Sequence, residues 1–223
     1  MMKVHNRRRI SRQKYTVIFN SFVTDIPSLK ASKIASVNRK TTDRYYKVFR
    51  EVVAIAARYE RNLIQMKNGI EVDESYFGPR RVRGRRGRGA GRKVIVFGLL
   101  KRDGKVYTQI IKNTERVVVM PIIRKVVASG SDIYSDGWRS YDALAVYGYN
   151  HKKVKHTESE FAREDGSHIN GVESYWSWTK RRLVQFNGMT QKQFGEYLLE
   201  SEWRFNHRDT FARDLKKLLK NSS

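Results

Sequence analysis

The chain has 223 residues, of which 39% are hydrophobic and 12% aromatic, so the sequence can form a folded core and is not disordered throughout. Its 46 Lys and Arg against 22 Asp and Glu give a formal net charge of +24, which predicts a nucleic-acid partner because neutralised phosphates release counterions. The absence of Cys excludes disulfides, thiol catalysis and Cys-bound zinc.

The N-terminal segment, residues 1–14, is polar and basic, which predicts a flexible arm. No apolar segment follows these basic residues, so we expect no signal peptide. No apolar run in the chain approaches the roughly 20 residues that a membrane span needs, and no basic amphipathic helix suited to a membrane surface stands out. A cytoplasmic location is therefore the default expectation.

Residues 15–67 are predicted to be helical, because apolar side chains recur three or four residues apart without strand-like alternation. Within this region we expect a helix-turn-helix, with a first helix over about 28–35, a turn at 36–38 and a second helix that starts near Arg39. Ser36 occupies the turn position at which Gly is common.

Short polar and basic side chains at the start of such a second helix can reach base edges and phosphates in a major groove. The sequence therefore predicts that a set of outward-facing residues binds DNA: Arg39, Lys40, Thr41, Thr42 and Arg44. A plain helical hairpin that serves packing or dimerisation is the alternative.

From residue 68 onward, the sequence predicts three successive strands, followed by helices with single strands between them and a final pair of helices. The expected strands are 70–77, 92–100, 105–112, 131–137 and 151–156, and the expected helices are 114–130, 138–148, 168–186 and 191–208. Pro121 is expected to kink the first of these helices or to mark its start. This order is that of a ribonuclease-H-like fold, an α/β mixed sheet flanked by helices, in which the first and fourth strands are neighbours at the centre.

The long loop between the first two predicted strands, residues 78–93, is rich in Gly and Arg and offers nothing that can build a core. Like charges placed this densely repel one another, so an anionic partner explains them better than a merely solvated loop does. We predict that the loop is a flexible clamp on the phosphate backbone, through Arg80, Arg81, Arg83, Arg85, Arg86, Arg88, Arg92 and Lys93.

Three acidic residues stand out by their context. Asp73 lies in the middle of a predicted strand, from which Asp is normally depleted, Asp136 lies at the end of another strand, and Glu173 lies early in a helix. Each has an ordinary alternative: Asp136 as a turn residue and Glu173 as a surface residue that complements the helix dipole. Glu71 shares the face of Asp73, so it is either an accessory group or a competitor for the assignment.

Converging carboxylates suit phosphodiester chemistry. Cleavage places charge on both the attacking and the leaving oxygen, and two Mg²⁺ ions about 4 Å apart can stabilise both. Mg²⁺ prefers hard oxygen ligands. Asp73 would bridge the two ions, and Asp136 and Glu173 would each complete one.

The helix that carries Glu173 is expected to present further groups to the site. Trp176 and Lys180 follow it by three and seven residues and share its face, so Lys180 would point at the scissile phosphate. Two arginines, Arg181 and Arg182, extend a basic strip that we expect to bind DNA. Upstream, His168 and Asn170 are accessory candidates, although a lone His is more often structural.

Six separate motifs resemble those of one known family, and they occur in the same order. They are IEVDESYFG, the Gly- and Arg-rich loop, VFGLLKRDGKVYT, YSDGWRSYDAL, HTESEFAREDGSHINGVESYWSWTKRRL and EWRFNHR. Together they are similar to a DDE-type bacterial insertion-sequence transposase, of the group whose third acid lies in a His-x-Asn-Gly-x-Glu motif. The resemblance covers about residues 68–208, and residues 209–223 remain as a basic C-terminal tail. The helical region 15–60 also resembles the group's short members, which have no zinc ribbon.

The resemblance implies a catalytic mechanism and a set of partners. Asp73, Asp136 and Glu173 match the family's catalytic acids, and Lys180 matches the Lys that follows the Glu by seven residues. It also implies two Mg²⁺ ions, for which Mn²⁺ can substitute, and binding of double-stranded DNA, both the terminal inverted repeats and the target. Because a transposase holds two ends, we expect a homodimer or larger synaptic complex, associated with the bacterial nucleoid.

Two other functions stay open at this point. A nuclease or junction resolvase with the same fold would cleave DNA without joining it. A DNA-binding regulator, or a decayed transposase, would only bind; the presence of all three acids argues against decay.

Overall fold

The structure is a computed structural model, and it describes residues 10–78, 93–102, 104–136, 144–154, 170–186 and 189–221, together with the backbone of 81–82 and 85–86. These residues form two compact units. The first, here named the helical unit, contains the described residues up to Asn62 and from Met189 onward, and the second, the sheet unit, contains those within Leu63–Gly188.

From the first strand onward the chain contains both strands and helices, as predicted. In chain order they are α1 (Arg12–Val23), α2 (Ser28–Ile34), α3 (Arg39–Leu63), β1 (Ile70–Phe77), β2 (Arg81–Val82), β3 (Arg85–Arg86), β4 (Val94–Lys101), β5 (Val106–Ile111), α4 (Arg116–Val126), β6 (Asp132–Ser135), β7 (Asn150–Lys153), α5 (Asn170–Val184), α6 (Gln191–Asn206) and α7 (Phe211–Asn221).

The core of the helical unit draws on both ends of the chain. Phe22 of α1 belongs to the same buried cluster as Trp203 of α6 and Leu215 of α7. The sequence predicts α6 as part of the domain 68–208 and a tail over 209–223, whereas both segments supply buried side chains to the helical unit. Hydrophobic spacing identifies the apolar face of a helix but not the core that this face enters, which explains the difference.

The turn between α2 and α3 falls where the sequence predicts it. Ser36 has a positive φ of 49°, a conformation that favours Gly, and its carbonyl accepts a hydrogen bond from Lys14 Nζ at 2.9 Å. The side chain of Asn38 accepts the backbone N–H of Lys40 at 2.8 Å and so caps the start of α3. Local side chains therefore define this helix pair, and DNA binding by it stays a prediction.

The sheet unit is built on a five-stranded mixed sheet in the order β5-β4-β1-β6-β7. Strand β4 is antiparallel to both of its neighbours, β5 and β1, whereas β6 runs parallel to both β1 and β7. The first and fourth strands of this sheet along the chain, β1 and β6, are adjacent at its centre, as predicted. A three-stranded meander followed by parallel strands reached through a helix is a ribonuclease-H-like arrangement, so the predicted α/β fold class is confirmed.

The two faces of β1 have different partners, because side chains alternate along a strand. Ile70 and Val72 enter an apolar core that also contains Ile123 of α4. The opposite face carries Glu71 and Asp73 and is covered by α5. The polar residues of β1 therefore lie between the sheet and a helix rather than in the apolar core.

Helix α4 is shorter than the predicted 114–130. It ends at Val126 because the following chain pairs with Met66: the Met66 N–H donates to the Val126 carbonyl at 2.7 Å, and the Ala128 N–H donates to the Met66 carbonyl at 2.8 Å. Pro121 lies inside the helix rather than at its start.

The predicted helix 138–148 lies mostly outside the described residues, and its last part is seen as a 3₁₀ turn, Ala145–Tyr147. Within the parts of the chain that the structure describes, no helix combines the length and the apolar character needed to cross a membrane.

Candidate active site

Three carboxylates are carried by adjoining elements at the centre of the sheet unit. Asp73 lies in the middle of β1, on the face covered by α5, and is paired in register with Gly98 of β4. Asp136 directly follows β6, which is parallel to β1, and Glu173 lies in the first turn of α5. Asp73 and Asp136 are half-buried, whereas Glu173 is exposed.

The carboxylate of Asp73 is electrostatically coupled to both other acids. Burial raises the pKa of Asp73 from 3.8 to about 6, and the charges of Asp136 and Glu173 add to this shift. Hydrogen bonds from the Glu74 backbone and the Trp176 side chain oppose it. Of these contributions, that of the Trp176 side chain is the smallest. The site therefore concentrates negative charge that a cation would neutralise.

The chemistry of this donor set fits a hard divalent cation. Mg²⁺ prefers carboxylate oxygens, and a nearby dication stabilises the charged form of a buried carboxylate. In the described ranges, however, no group of three or more His, Asp or Glu side chains is already arranged to hold a metal ion. The three acids lie on adjoining elements and interact electrostatically, but they do not form such a group in the described residues.

Lys180 lies on α5, seven residues after Glu173. Burial lowers the pKa of Lys180, the Asp73 carboxylate opposes that shift, and the Lys93 ammonium adds to it. The Lys180 Nζ lies 5.7 Å from the centroid of the Phe77 ring. The structure therefore brings Lys180 into the electrostatic field of Asp73, together with a second cation from the end of the Gly- and Arg-rich loop.

Gly98 makes room for α5 beside Asp73. A Cβ atom at this position would lie 2.8 Å from Cη2 of Trp176 and closer still to Cζ2, so a larger residue would displace the indole or the helix. Trp176 also packs against Phe77, with ring centroids 5.9 Å apart. Gly98 was not predicted as a site residue, although a Gly inside a strand pattern is the signal of such a close approach.

Glu71 shares the face of Asp73, but its carboxylate is directed elsewhere. The side chain is 1% exposed, and its Oε2 accepts the backbone N–H of Val172 at 2.9 Å. Its Oε1 lies 3.4 Å from Nε of Arg102. These contacts favour Asp73 over Glu71 as the β1 acid of the site.

Comparison with known proteins identifies the family of this chain. The profile of the family described as the ISXO2-like transposase domain matches residues 65–206, more than half of the chain. The chain belongs to this transposase family. The predicted resemblance to an insertion-sequence transposase is thereby confirmed.

A curated relative supports the same assignment. This transposase is 40% identical over 120 residues to a protein of Haemophilus influenzae (strain ATCC 51907 / DSM 11121 / KW20 / Rd) described as an "Uncharacterized transposase-like protein". The match covers 53% of this chain and 96% of that protein.

Solved complexes of Mos1 transposase align with the whole chain at low similarity. A pre-cleavage Mos1 transpososome has 10% identity and a TM-score of 0.34, with 100% of this chain and 82% of that chain covered. The Mos1 strand transfer complex has 12% identity and a TM-score of 0.31, with 100% and 81% covered. Scores this low support no argument about DNA binding or assembly.

In this transposase, the predicted DNA-binding residues of α3 divide into accessible and buried ones. Thr41 is half-buried, and three others are exposed: Arg39, Lys40 and Arg44. Thr42 is fully buried, so the prediction that it faces outward is wrong. It lies one helical turn before the buried Tyr46, on the same side of α3.

The basic strip of α5 is narrower than predicted. Arg181 is exposed, but Arg182 is 5% exposed, so its assignment to the DNA-binding surface is wrong. Arg182 follows the buried Tyr175 and Thr179 at helical spacing, and its guanidinium carbon lies 5.4 Å from the ring centroid of Phe186. The buried side of α5 thus continues through Arg182.

Several predicted residues lie outside the described part of the chain: Arg80, Arg83, Arg88, Arg92 and His168. Three loop arginines are described by their backbone alone, in the antiparallel pair β2–β3: Arg81, Arg85 and Arg86. Lys93 is half-buried, and Asn170 is the exposed first residue of α5.

Proposed function

We propose that this chain is a DDE-type transposase that binds the terminal inverted repeats of a mobile DNA element and catalyses two-metal phosphodiester cleavage and strand transfer. The observation that carries the proposal is the electrostatic coupling of Asp73 to Asp136 and Glu173, on three adjoining elements of the sheet unit. Membership in a transposase family supports it.

The three acids would hold two Mg²⁺ ions, for which Mn²⁺ can substitute, because these cations prefer carboxylate oxygens. When bound, the ions would supply Lewis-acid stabilisation of the charge on the attacking and leaving oxygens. Asp73 interacts with both Asp136 and Glu173, so it would hold the ions together with them.

Lys180 would bind the DNA phosphate that enters the site. Its ammonium lies in the field of Asp73, so a phosphate that reaches the acids would also come within its range. A cation there offsets the repulsion between the phosphate and the carboxylates. Lys93, which interacts with Lys180, would extend this positive region toward the Gly- and Arg-rich loop.

DNA recognition would rest on the helix pair α2–α3, through the accessible residues Arg39, Lys40, Thr41 and Arg44 at the start of α3. Arg39 forms an exposed pair with Asp43 at 3.5 Å, which a phosphate can displace because exposed ion pairs are weak. The cationic side chains of the Gly- and Arg-rich loop and Arg181 would contact the phosphate backbone.

Assembly follows from the reaction. A transposase acts on two element ends, so we expect a homodimer or a larger synaptic complex on double-stranded DNA. This assembly would place two copies of the acid site on one DNA complex.

A cleavage and strand-transfer assay tests the proposal. The full chain is incubated with Mg²⁺, duplexes that carry the sequences flanking its gene, and a supercoiled target. Glu173→Ala should bind DNA normally but lose cleavage by at least about a thousandfold, since metal stabilisation contributes several kcal/mol. The matched control is Glu196→Ala, an exposed helical Glu of the helical unit, which should stay within about twofold of the parent.

The other functions give different products. A parent that cleaves without joining is a nuclease or resolvase, and a parent that binds without cleaving under any metal condition is a binding protein. Equal cleavage by the parent and Glu173→Ala would show that Glu173 is not a metal ligand.

A further inference from the structure

A buried polar link, formed by Glu71, Arg102 and the backbone of Val172, lies beside the three acids of the sheet unit. We propose that Glu71 is a positioning residue, which sets where Glu173 stands relative to Asp73 by holding the first turn of α5. This inference rests on the proposed function, in which both acids hold metal ions. It gives Glu71 a role distinct from ion binding.

Glu71 contacts the N-terminus of α5 directly. Its fully buried carboxylate accepts the backbone N–H of Val172 at 2.9 Å. The first N–H groups of a helix have no partner inside the helix, and the helix N-terminus carries a partial positive charge, so both effects favour a carboxylate there. Because Val172 immediately precedes Glu173, this hydrogen bond fixes the turn that carries the acid.

Arg102 extends the link toward β6. Its Nε lies 3.4 Å from Oε1 of Glu71, and its guanidinium carbon lies 3.7 Å from the ring centroid of Tyr134. Its backbone N–H donates to the Gly69 carbonyl at 3.1 Å, which ties it to the start of β1. Tyr134 lies on β6, two residues before Asp136.

Gly171 permits the close approach of α5 to Glu71. A Cβ atom at this position would lie 2.9 Å from Oε2 of Glu71 and 2.9 Å from Cδ2 of Leu100. Real Cβ atoms do not approach other atoms this closely, so a larger residue would displace the Glu71 or Leu100 side chain or the first turn of α5, which begins two residues before Glu173. The backbone here is therefore shaped to meet the carboxylate.

The link thus connects all three elements that carry the acids. Glu71 itself lies on β1, its hydrogen bond reaches α5, and Arg102 with Tyr134 reaches β6. Burying a carboxylate is costly, and an apolar side chain would fill the same space more cheaply. A directional hydrogen bond, however, fixes position as packing alone does not. This matters because a misplacement of about 1 Å can cost about a hundredfold in rate.

The test compares Glu71→Gln with Glu71→Leu in the full chain. Gln keeps an oxygen that can accept the Val172 N–H, whereas Leu keeps only the volume. The matched control is Glu74→Gln, on the same strand but on the opposite face. For each variant, hydrogen exchange is measured for peptides that cover α5, together with DNA cleavage as a function of Mg²⁺ concentration.

The proposal predicts an order of the variants in both hydrogen exchange and cleavage rate. Glu71→Gln should speed hydrogen exchange in the first turn of α5 about tenfold and slow DNA cleavage about tenfold. Glu71→Leu should change each of these two rates about a hundredfold. Glu74→Gln should change either by no more than about twofold. A residue that only fills the core would tolerate Leu better than Gln.

Two results would overturn the inference. One is that Glu71→Leu cleaves DNA and protects α5 from exchange as well as Glu71→Gln does, and the other is that exchange speeds up evenly across the sheet unit. Asp73→Asn separates the two proposals, because it should abolish cleavage without speeding exchange in the first turn of α5. If the parent does not cleave DNA, the proposed function fails, while the exchange ranking, measured without DNA or metal, still tests the link.

Discussion

Glu200 of the helical unit and Asp73 of the sheet unit lie in opposite electrostatic surroundings. In the helical unit, the buried Glu200 lies 2.9 Å from Arg50 and 2.8 Å from Arg204. In the sheet unit, Asp73 lies in the field of two further carboxylates, and its pKa is raised. Opposite charges compensate burial within the fold, whereas like charges require compensation from a bound cation. The helical unit uses charge to specify its structure, whereas in the proposed function the acids of the sheet unit would use it to bind cations.

The largest expected effect is at Asp73. Asp73→Asn should reduce cleavage by at least about a thousandfold. Burial and its acidic neighbours raise the pKa of Asp73 from 3.8 to about 6. Asp73 therefore lowers stability progressively as the pH rises from 3.8 to about 6, and the full loss is present above that range. Without divalent metal at pH 8, the variant should therefore be more stable by roughly 2–3 kcal/mol, and this gain should vanish below pH 4.

Asp214 of the helical unit is the matched control. Although burial raises the pKa of Asp214, hydrogen bonds from Thr210, His207 and Arg213 lower it to about 2. The Asp214 carboxylate therefore contributes stability that is fully present above pH 3.8, its ordinary pKa, and is lost as the pH falls toward 2. Asp214→Asn should thus destabilise the protein at pH 8. Thermal unfolding in EDTA measures both variants, and shifts of the same sign would contradict the comparison.

The next effect is at Arg204, which is 7% exposed and pairs with Glu200. It also donates hydrogen bonds to the carbonyls of Phe22 and Val23, at 2.7 and 3.1 Å. Arg204→Met leaves these acceptors and part of the Glu200 charge uncompensated, so urea unfolding should show a loss of about 3 kcal/mol or more.

An exposed arginine of the same unit provides the control for Arg204→Met. Arg58 pairs with Glu196, and both side chains are about half exposed, at 54% and 48%. Arg58→Met should cost less than about 1 kcal/mol. An equal loss of stability in both variants would show that the buried Arg204–Glu200 pair contributes no more to stability than the exposed Arg58–Glu196 pair does.

A smaller effect is expected at Gly98. The methyl group of Gly98→Ala would overlap the six-membered ring of Trp176, which should cost about 1–3 kcal/mol of stability and slow cleavage by about a hundredfold. Trp176→Phe removes the overlapping atoms, so the double variant should recover stability relative to Gly98→Ala alone. Chemical denaturation of the four proteins gives the coupling, and strict additivity would disprove the contact.

The smallest effect concerns pH and His207. Burial lowers its pKa, but hydrogen bonds and charge from Glu60 and Asp214 more than offset this and raise it above 6.5. Protonated His207 therefore adds stability below pH 6.5 that is lost as the pH rises through the raised value. His207→Asn should lower the melting temperature by about 2–4 °C at pH 6, and by less at pH 9. A loss that grows with pH would contradict this assignment.

The sheet and the acids could be predicted because their signals are local. Alternation marks β1, Asp73 is unusual in a strand, and Asn38 and Ser36 carry the chemistry of a helix start and a turn. Chain order then predicted that β1 and β6 are neighbours. These features need only the sequence and the general rules of strand pairing.

The predictions that were wrong or missing concern which face of a helix or strand is buried, and this is decided by tertiary packing. Thr42 and Arg182 looked like exposed polar residues, yet each continues a buried helical side. The role of Gly98 depends on its register with Asp73 and on the ring above it. The partners of Glu71 come from residues about thirty and one hundred positions away, which no local pattern reveals.

The division of the helical unit between the two ends of the chain has a consequence for synthesis. Helices α1–α3 are translated first, but Trp203 and Leu215 of their core are translated last. A nascent chain that stops before α6 contains all three acids of the sheet unit and lacks part of the core beneath α3. We therefore expect the first helices to fold firmly only after α6 and α7 have been translated.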